Sequence, residues 1–179
     1  MDYLKILHEN PDLADEFDSL FDFFLLDELS PRDDAEGRCT FSMPGMAFAR
    51  DGSGGEYHLL EDGSIGYYSS EGEAGRLAES MDDLFSLIVS CICWHDCCDA
   101  KQYVDSKTLE EYGQRQRNTN LEDMYSLRRV SDALGIPTGE PLAPVLERFR
   151  KATQREPVYQ CIFHEDDGSL TESYGLMFE

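Results

Sequence analysis

The sequence predicts an α+β fold, and three features of its hydrophobic pattern carry that prediction. Apolar residues follow the 3.6-residue period of a buried helix face before residue 30 and again from residue 80 onward. Between these stretches lie short strand-like runs with glycine-containing turns, at 46–50, 56–60 and 64–68. Two further runs, 158–164 and 170–178, are joined by Asp166-Asp167-Gly168 and predict a hairpin.

The composition indicates a folded and strongly acidic protein. The 37 Asp and Glu residues outnumber 15 Lys and Arg, which gives a net charge of −22, while 41% of the residues are hydrophobic. That apolar share is too high for a disordered acidic tail. The charge argues against nucleic acid as a ligand, and its excess lies in residues 1–100, where 23 acidic residues face 5 basic ones.

We expect a cytoplasmic protein with reduced cysteines. The sequence has no stretch near the ~20 apolar residues of a membrane span, and its first 17 residues are acidic where a secretory signal would be basic. Without export the six cysteines should not form disulfides.

The N-terminal pattern predicts two helices and then a short strand. A short first helix within residues 1–9 should stop at Asn10, and Pro11 should open a second helix that runs to residue 29. One buried face is predicted for this second helix, formed by Leu13, Phe17, Leu20, Phe21, Phe24 and Leu25. After Ser30, a strand at 38–41 should precede the meander formed by the runs at 46–68.

A loop over 69–75 should lead to the strongest predicted helix, which begins at Ser80 with Asp83 as its capping partner. Its predicted face, which should pack across the meander, consists of Leu84, Leu87, Ile88, Cys91, Ile92 and His95. Further helices are predicted weakly over 107–112, from Asn120 to residue 134, and around 142–149. The acidic pairs at 33–34, 61–62, 82–83 and 166–167 should lie in caps or turns.

Residues 41–89 contain a series of short phrases in a fixed order: Phe48-Ala49-Arg50-Asp51-Gly52-Ser53-Gly54-Gly55, Tyr57, Leu59, Asp62-Gly63-Ser64-Ile65, and Leu77-Ala78-Glu79-Ser80 with Leu84 and Phe85. In their order and spacing these phrases resemble the core of the SUKH superfamily. The resemblance implies one domain over 1–179 with a curved, mainly antiparallel sheet backed by helices. Its core block would be 38–98, followed by a helical and hairpin extension over 99–179 that has no counterpart in the family.

The resemblance also implies a non-enzymatic binding protein, because many bacterial members neutralise a toxin as immunity proteins. The acidic charge suits a basic partner such as a nuclease toxin, since complementary potential speeds association. The predicted contact residues lie on the strands and loops of the matching block: Asp51, Glu56, Tyr57, Glu61, Asp62, Tyr67, Tyr68, Glu71 and Glu73. No metal or cofactor is predicted.

Other interpretations remain open. Cys91 and His95, four residues apart, could share a zinc ion on a helix or form a thiol-dependent site within 91–98, although Cys91 could equally be a buried apolar residue. The acidic surface could also imitate nucleic acid, or the scaffold could serve a regulatory interaction without a toxin. The Asp51–Gly55 loop is typical of a hairpin turn rather than of a phosphate or calcium site.

Overall fold

The computed structural model describes residues 2–32 and 37–178, so the predicted turn at 33–34 lies outside the described residues. The helices are α1 (Tyr3–Glu9), α2 (Pro11–Phe21), α3 (Met81–Cys91), α4 (Ser106–Asn120), α5 (Met124–Leu134) and α6 (Leu142–Thr153), with short 3₁₀ helices at His95–Cys97 and Ala100–Gln102. The strands are β1 (Phe24–Ser30), β2 (Cys39–Phe41), β3 (Gly45–Arg50), β4 (Glu56–Leu60), β5 (Ile65–Tyr68), β6 (Ala74–Ala78), β7 (Cys161–His164) and β8 (Leu170–Glu172).

Two antiparallel sheets organise the fold. The larger has the strand order β1-β3-β4-β5-β6, and the smaller has the order β2-β7-β8. Consecutive pairing of β3, β4 and β5 confirms the predicted meander. Helices pack on one face of the large sheet. On the opposite face, His58 of β4 contacts Phe41 and Tyr159, which lie on the side of the small sheet. The predicted α+β class is confirmed.

Aromatic rings form the centre of the core on the helical face. Phe23 lies 4.8 Å from the Tyr57 ring, and Phe85 stacks on Tyr3 at 4.5 Å between ring centroids. Burying each large side chain contributes about 1.5–3 kcal/mol relative to leaving it in water. Leu109 of α4 and Phe149 of α6 belong to the same hydrophobic cluster, so the C-terminal helices share this core.

The prediction of one long helix to residue 29 is wrong. Helix α2 ends at Phe21, and Asp22 adopts a left-handed conformation with φ of 51°. The chain then forms β1, which pairs with β3. An apolar run such as 23–26 has no periodicity that separates a strand from a helix, and here pairing with β3 decides between them.

Strand β6 lies at the end of the loop predicted over 69–75 and before the helix predicted from Ser80, where no strand was expected. Its five residues are buried, and it pairs with β5. The predicted strand at 38–41 exists as β2 but pairs with β7 rather than with the meander. The C-terminal hairpin is confirmed, although its strands are shorter than predicted.

The helices after β6 also differ in their ends. Ser80 caps α3 by accepting the Asp83 N–H, as predicted, but α3 stops at Cys91 and not beyond His95. Helix α4 is 15 residues long where only a weak helix was predicted. Asn120 ends α4, and Asp123 is the N-cap of α5. None of the helices in residues 2–32 and 37–178 combines the length and apolar character that crossing a bilayer needs.

Candidate functional site

The predicted contact residues of the turns divide between the two ends of the large sheet. Successive turns of an antiparallel meander alternate in end, so Glu61 and Asp62 lie at one end. The 51–55 loop and the 69–73 turn lie together at the other. We call this second region the acidic end and define it by Asp22, Asp51, Glu71, Glu73, His95 and Asp96.

The end that carries Asp62 is neutralised by arginines. The Asp62 Oδ2 atom lies 2.7 Å from Arg155 Nη2 and 3.6 Å from Arg76 Nη2. Arg155 also pairs with Glu79. Although burial acts to raise the pKa of Asp62, hydrogen bonds from Ser64 and the two arginines lower it below its usual value. The carboxylates of Asp62 and Glu79 and the guanidinium groups of Arg76 and Arg155 therefore neutralise one another.

Asp51 is the buried anchor of the acidic end. Its Oδ1 accepts the Ser53 N–H at 3.0 Å, the Ser53 hydroxyl at 2.7 Å and the Gly55 N–H at 2.8 Å. Its Oδ2 accepts the Tyr67 hydroxyl. Burial acts to raise the pKa of Asp51, but these hydrogen bonds lower it below its usual value. The carboxylate thus stays charged and ties the β3–β4 loop to β5.

His95 lies over this anchor and is 41% exposed. Its Nε2 is 3.1 Å from the Tyr67 hydroxyl, and its ring stacks on Trp94 at 3.7 Å between centroids. Because Tyr67 donates its own proton to Asp51, the network assigns a proton to Nε2, which donates to Tyr67.

The protonation state of His95 affects the net charge of the acidic end. Burial lowers the pKa of His95, although the negative charges of Asp51, Glu73, Asp22 and Asp96 act to raise it. With its pKa below the ordinary value of 6.5, the ring is neutral at pH 7. It therefore does not offset the surrounding carboxylates.

The remaining carboxylates come from separate segments. The Asp22 Oδ1 atom accepts the Gly52 N–H at 2.9 Å, which fixes the end of α2 against the β3–β4 loop. Glu71 is exposed in the β5–β6 turn, and Glu73 is half-buried beside it. Over residues 2–32 and 37–178, no lysine or arginine lies within ion-pair distance of Asp22, Glu71, Glu73 or Asp96.

Tyr174 adds an exposed aromatic ring that sequence reasoning missed. Its carbonyl accepts the Ala74 N–H at 2.8 Å and its N–H donates to Gly72 at 3.1 Å, which forms a parallel bridge with Glu73. The side chain is 75% exposed. No local pattern brings residue 174 to residue 73, because only the path of the C-terminal segment does so.

Several predicted contact residues are buried, so their placement on the surface was wrong. Tyr57 and Tyr67 are each 1% exposed among the helices, Asp51 is 6% exposed, and Glu56 is 2% exposed on the opposite sheet face. Tyr68 is half-buried against the small sheet. The sequence predicted strands here, but it does not show that both faces of the sheet are covered.

Glu56 belongs to a buried polar network between the two sheets. Its Oε1 accepts from Arg50 Nη2 at 2.7 Å, and its Oε2 lies 3.1 Å from His58 Nε2. The other nitrogen of His58, Nδ1, lies 2.6 Å from the Tyr159 hydroxyl, and the oxygen of that hydroxyl accepts a hydrogen bond from Arg32. Burial lowers the pKa of His58, although Glu56 opposes the shift.

The cysteine cluster does not have the geometry that the zinc interpretation requires. Since α3 ends at Cys91, Cys91 and His95 are not one turn apart on a helix. Cys91 is buried against the Cys97 thiol, which together with burial raises its pKa, and burial raises the pKa of Cys93. Thiolate chemistry is therefore disfavoured. In the part of the chain that the structure describes, no three His, Cys, Asp or Glu side chains form a metal-binding group.

Comparisons of the chain with family models, with curated proteins and with solved structures find no match. The function of the acidic end must therefore be argued from its own geometry.

Proposed function

We propose that this chain is a non-enzymatic binding protein whose acidic end captures a basic protein partner. We further propose that the partner is a toxin domain, possessing a basic nucleic-acid-binding surface, which the chain neutralises as an immunity protein. The resemblance of residues 41–89 to the SUKH core supports the class of partner. The geometry of the acidic end supports the mode of binding.

One observation carries the proposal: carboxylates from four separate segments lie around His95. Among the described residues, no lysine or arginine forms an ion pair with Asp22, Glu71, Glu73 or Asp96. Such an uncompensated group repels itself in the free protein and is stabilised when a cationic surface approaches. A toxin that handles nucleic acid presents such a surface, because it must bind phosphates.

The charge should act mainly on the rate of encounter. Complementary potentials raise association rates from about 10⁵–10⁶ to as much as 10⁸–10⁹ M⁻¹s⁻¹ at low salt. Exposed charges are screened over a Debye length of about 10 Å at 0.1 M salt. The association rate of the complex should therefore fall steeply as salt is added.

Tyr174 should contribute mainly to the lifetime of the complex. Exposed tyrosines are enriched among the few residues that carry most of an interface's binding energy. At 75% exposure the ring has much surface to lose on binding, and it stands beside Glu73. Tyr174→Ala is expected to raise the dissociation rate about tenfold or more, with little effect on the association rate.

The test partner is sought in the reading frames beside that of this chain, as the toxin-like C-terminal domain of a secreted protein; finding no such neighbour would count against the proposed partner. Association rates are measured by stopped flow between 25 and 500 mM salt, approximate limits that bracket the screening range. Glu71→Lys with Glu73→Lys is expected to slow association about tenfold at the lowest salt. The matched control is Glu61→Lys with Glu156→Lys, which changes the net charge equally at the opposite end.

Equal slowing by both double variants would show that total charge, and not the acidic end, governs binding. A salt-independent association rate would overturn the steering mechanism. Co-expression supplies a second readout, since the wild-type chain should restore growth to cells that produce the toxin domain. Failure to rescue together with no complex would reject the proposed function.

A further inference from the structure

A groove with acidic walls adjoins the acidic end. It encloses about 360 Å³ between α2, the end of α3 and the linker from α4 to α5. The residues that line it are Glu16, Ser19, Leu20, Ile92, Asn120, Leu121, Glu122, Asp123 and Ser126. The Nδ2 of Asn120 donates to the Asp96 Oδ2 at 2.8 Å, so the groove and the acidic end form one continuous surface.

The end of α3 provides part of the groove floor. Ile92 follows the last residue of α3 with φ of 68° and ψ of −61°, a conformation that β-branched residues rarely adopt. This turn directs the chain away from the helix axis, and the linker at Leu121 crosses nearby. Leu20 and Leu121, which are half-buried, give the otherwise polar groove a small apolar patch, and Ile92 is buried behind it.

The three carboxylates of the groove are not equivalent. Asp123 caps α5 by accepting the N–H groups of Tyr125 and Ser126, and Glu16 is paired with Arg129. Glu122 is exposed, and none of residues 2–32 or 37–178 forms a hydrogen bond or ion pair with its carboxylate. Glu122 is thus the carboxylate of the groove that is available to a ligand.

We infer that this groove receives one lysine or arginine side chain of the basic partner, an inference that rests on the proposed function. The alkyl stem would lie against Leu20 and Leu121, while the cationic group would pair with Glu122. Long basic side chains combine an apolar stem with a charged end in just this way. The volume is at the lower limit of ligand pockets, about 300–1,000 Å³, which suits a side chain rather than a helix or strand.

The test titrates the full-length ¹⁵N-labelled chain with short capped peptides, followed by two-dimensional NMR. The probes are acetyl-Gly-Arg-Gly-amide and acetyl-Gly-Lys-Gly-amide, with the norleucine peptide as an uncharged control and spermidine as a free polyamine. The basic peptides should shift the amide signals of Ile92, Leu121 and Ser126, and the norleucine peptide should not. Glu122→Gln should weaken peptide binding about two- to fivefold, the range of a solvent-exposed ion pair, while Glu140→Gln, at an exposed position outside the groove, should not.

The outcomes separate this inference from the proposed function. No localised shifts, or equal effects of Glu122→Gln and Glu140→Gln, would overturn the inference. Spermidine binding well above that of both peptides would overturn it by making the groove a polyamine site. If the partner still requires Glu71 and Glu73 while Glu122→Gln leaves its affinity unchanged, the groove role fails and the proposed function stands.

Discussion

Replacing Asp51 by alanine tests how much the buried anchor of the acidic end stabilises the fold. The chain provides an internal control, because three Asp-Gly-Ser turns share the same local hydrogen bond. In each, the aspartate Oδ1 accepts the backbone N–H of the serine two residues later, at 3.0, 3.0 and 2.9 Å for Asp51, Asp62 and Asp167 respectively. Asp167 is exposed, whereas Asp51 is 6% exposed.

The expected cost follows from the donors that lose their acceptor. Asp51→Ala removes the acceptor of the buried Gly55 N–H and of the Tyr67 O–H, and each donor left without its acceptor costs about 1–3 kcal/mol. The Tyr67 oxygen keeps its contact with His95 Nε2. The groups of Ser53 are exposed and can bind water instead. The free energy of unfolding should therefore fall by about 2–6 kcal/mol, against about 1 kcal/mol or less for Asp167→Ala.

Urea unfolding followed by circular dichroism at pH 7 measures both losses. Because the pKa of Asp51 is below its unfolded value of 3.8, its stabilising contribution is complete above pH 3.8. It is lost as the pH falls through the folded-state pKa, so the difference between wild type and Asp51→Ala should shrink in acid. Equal losses for Asp51→Ala and Asp167→Ala would refute the reasoning, since they would place the whole effect in the local turn.

Two further predictions concern the opposite face of the sheet and the pH response. Burial lowers the folded-state pKa of His58 and of His95 below 6.5. The unfolded chain therefore takes up protons first, so the free energy of unfolding should decline as the pH falls through 6.5 toward the folded-state pKa values. His58→Gln should reduce that slope in urea titrations. An unchanged slope would place the titration elsewhere. Gly66→Ala would put a Cβ 2.6 Å from Cε1 of the buried Tyr159 ring. It should lower the free energy of unfolding by about 1–3 kcal/mol and therefore the melting temperature. Gly175 has open space around it, so Gly175→Ala should change the melting temperature little. Similar melting temperatures for the two variants would contradict the close packing inferred at Gly66.

Features that depend on neighbouring residues could be predicted from the sequence. The Ser80 cap of α3 needs only a hydroxyl and an amide three residues on, and it was confirmed. The meander was confirmed because alternating strands joined by tight glycine turns specify their own pairing. Strand β1 was missed, since the apolar run 23–26, three residues of which open β1, becomes a strand only when β3 lies beside it.

The residues of the candidate site also divide into those that the local sequence identifies and those that only distant segments bring there. Sequence reasoning identified Asp51, Glu71 and Glu73, since acidic residues between strands mark turns. It could not identify Asp22 or Tyr174, which reach the acidic end from the ends of α2 and of the C-terminal segment. It also placed Tyr57 and Tyr67 at the surface, because a strand pattern does not reveal that a second sheet and a set of helices cover both faces.

The amino-acid sequence by itself determined the charge of −22, the fold class and the three Asp-Gly-Ser turns. The charge depends on composition, the fold class on the periodicity of apolar residues, and the turns on hydrogen bonds that span two residues. Tertiary structure alone decided that one of these turns meets two arginines, that another binds Tyr67 beneath a neutral His95, and that the third remains in water. The reason is physical: local bonds form wherever the chain carries the right pair of residues, whereas burial and net potential depend on which distant segments pack beside them.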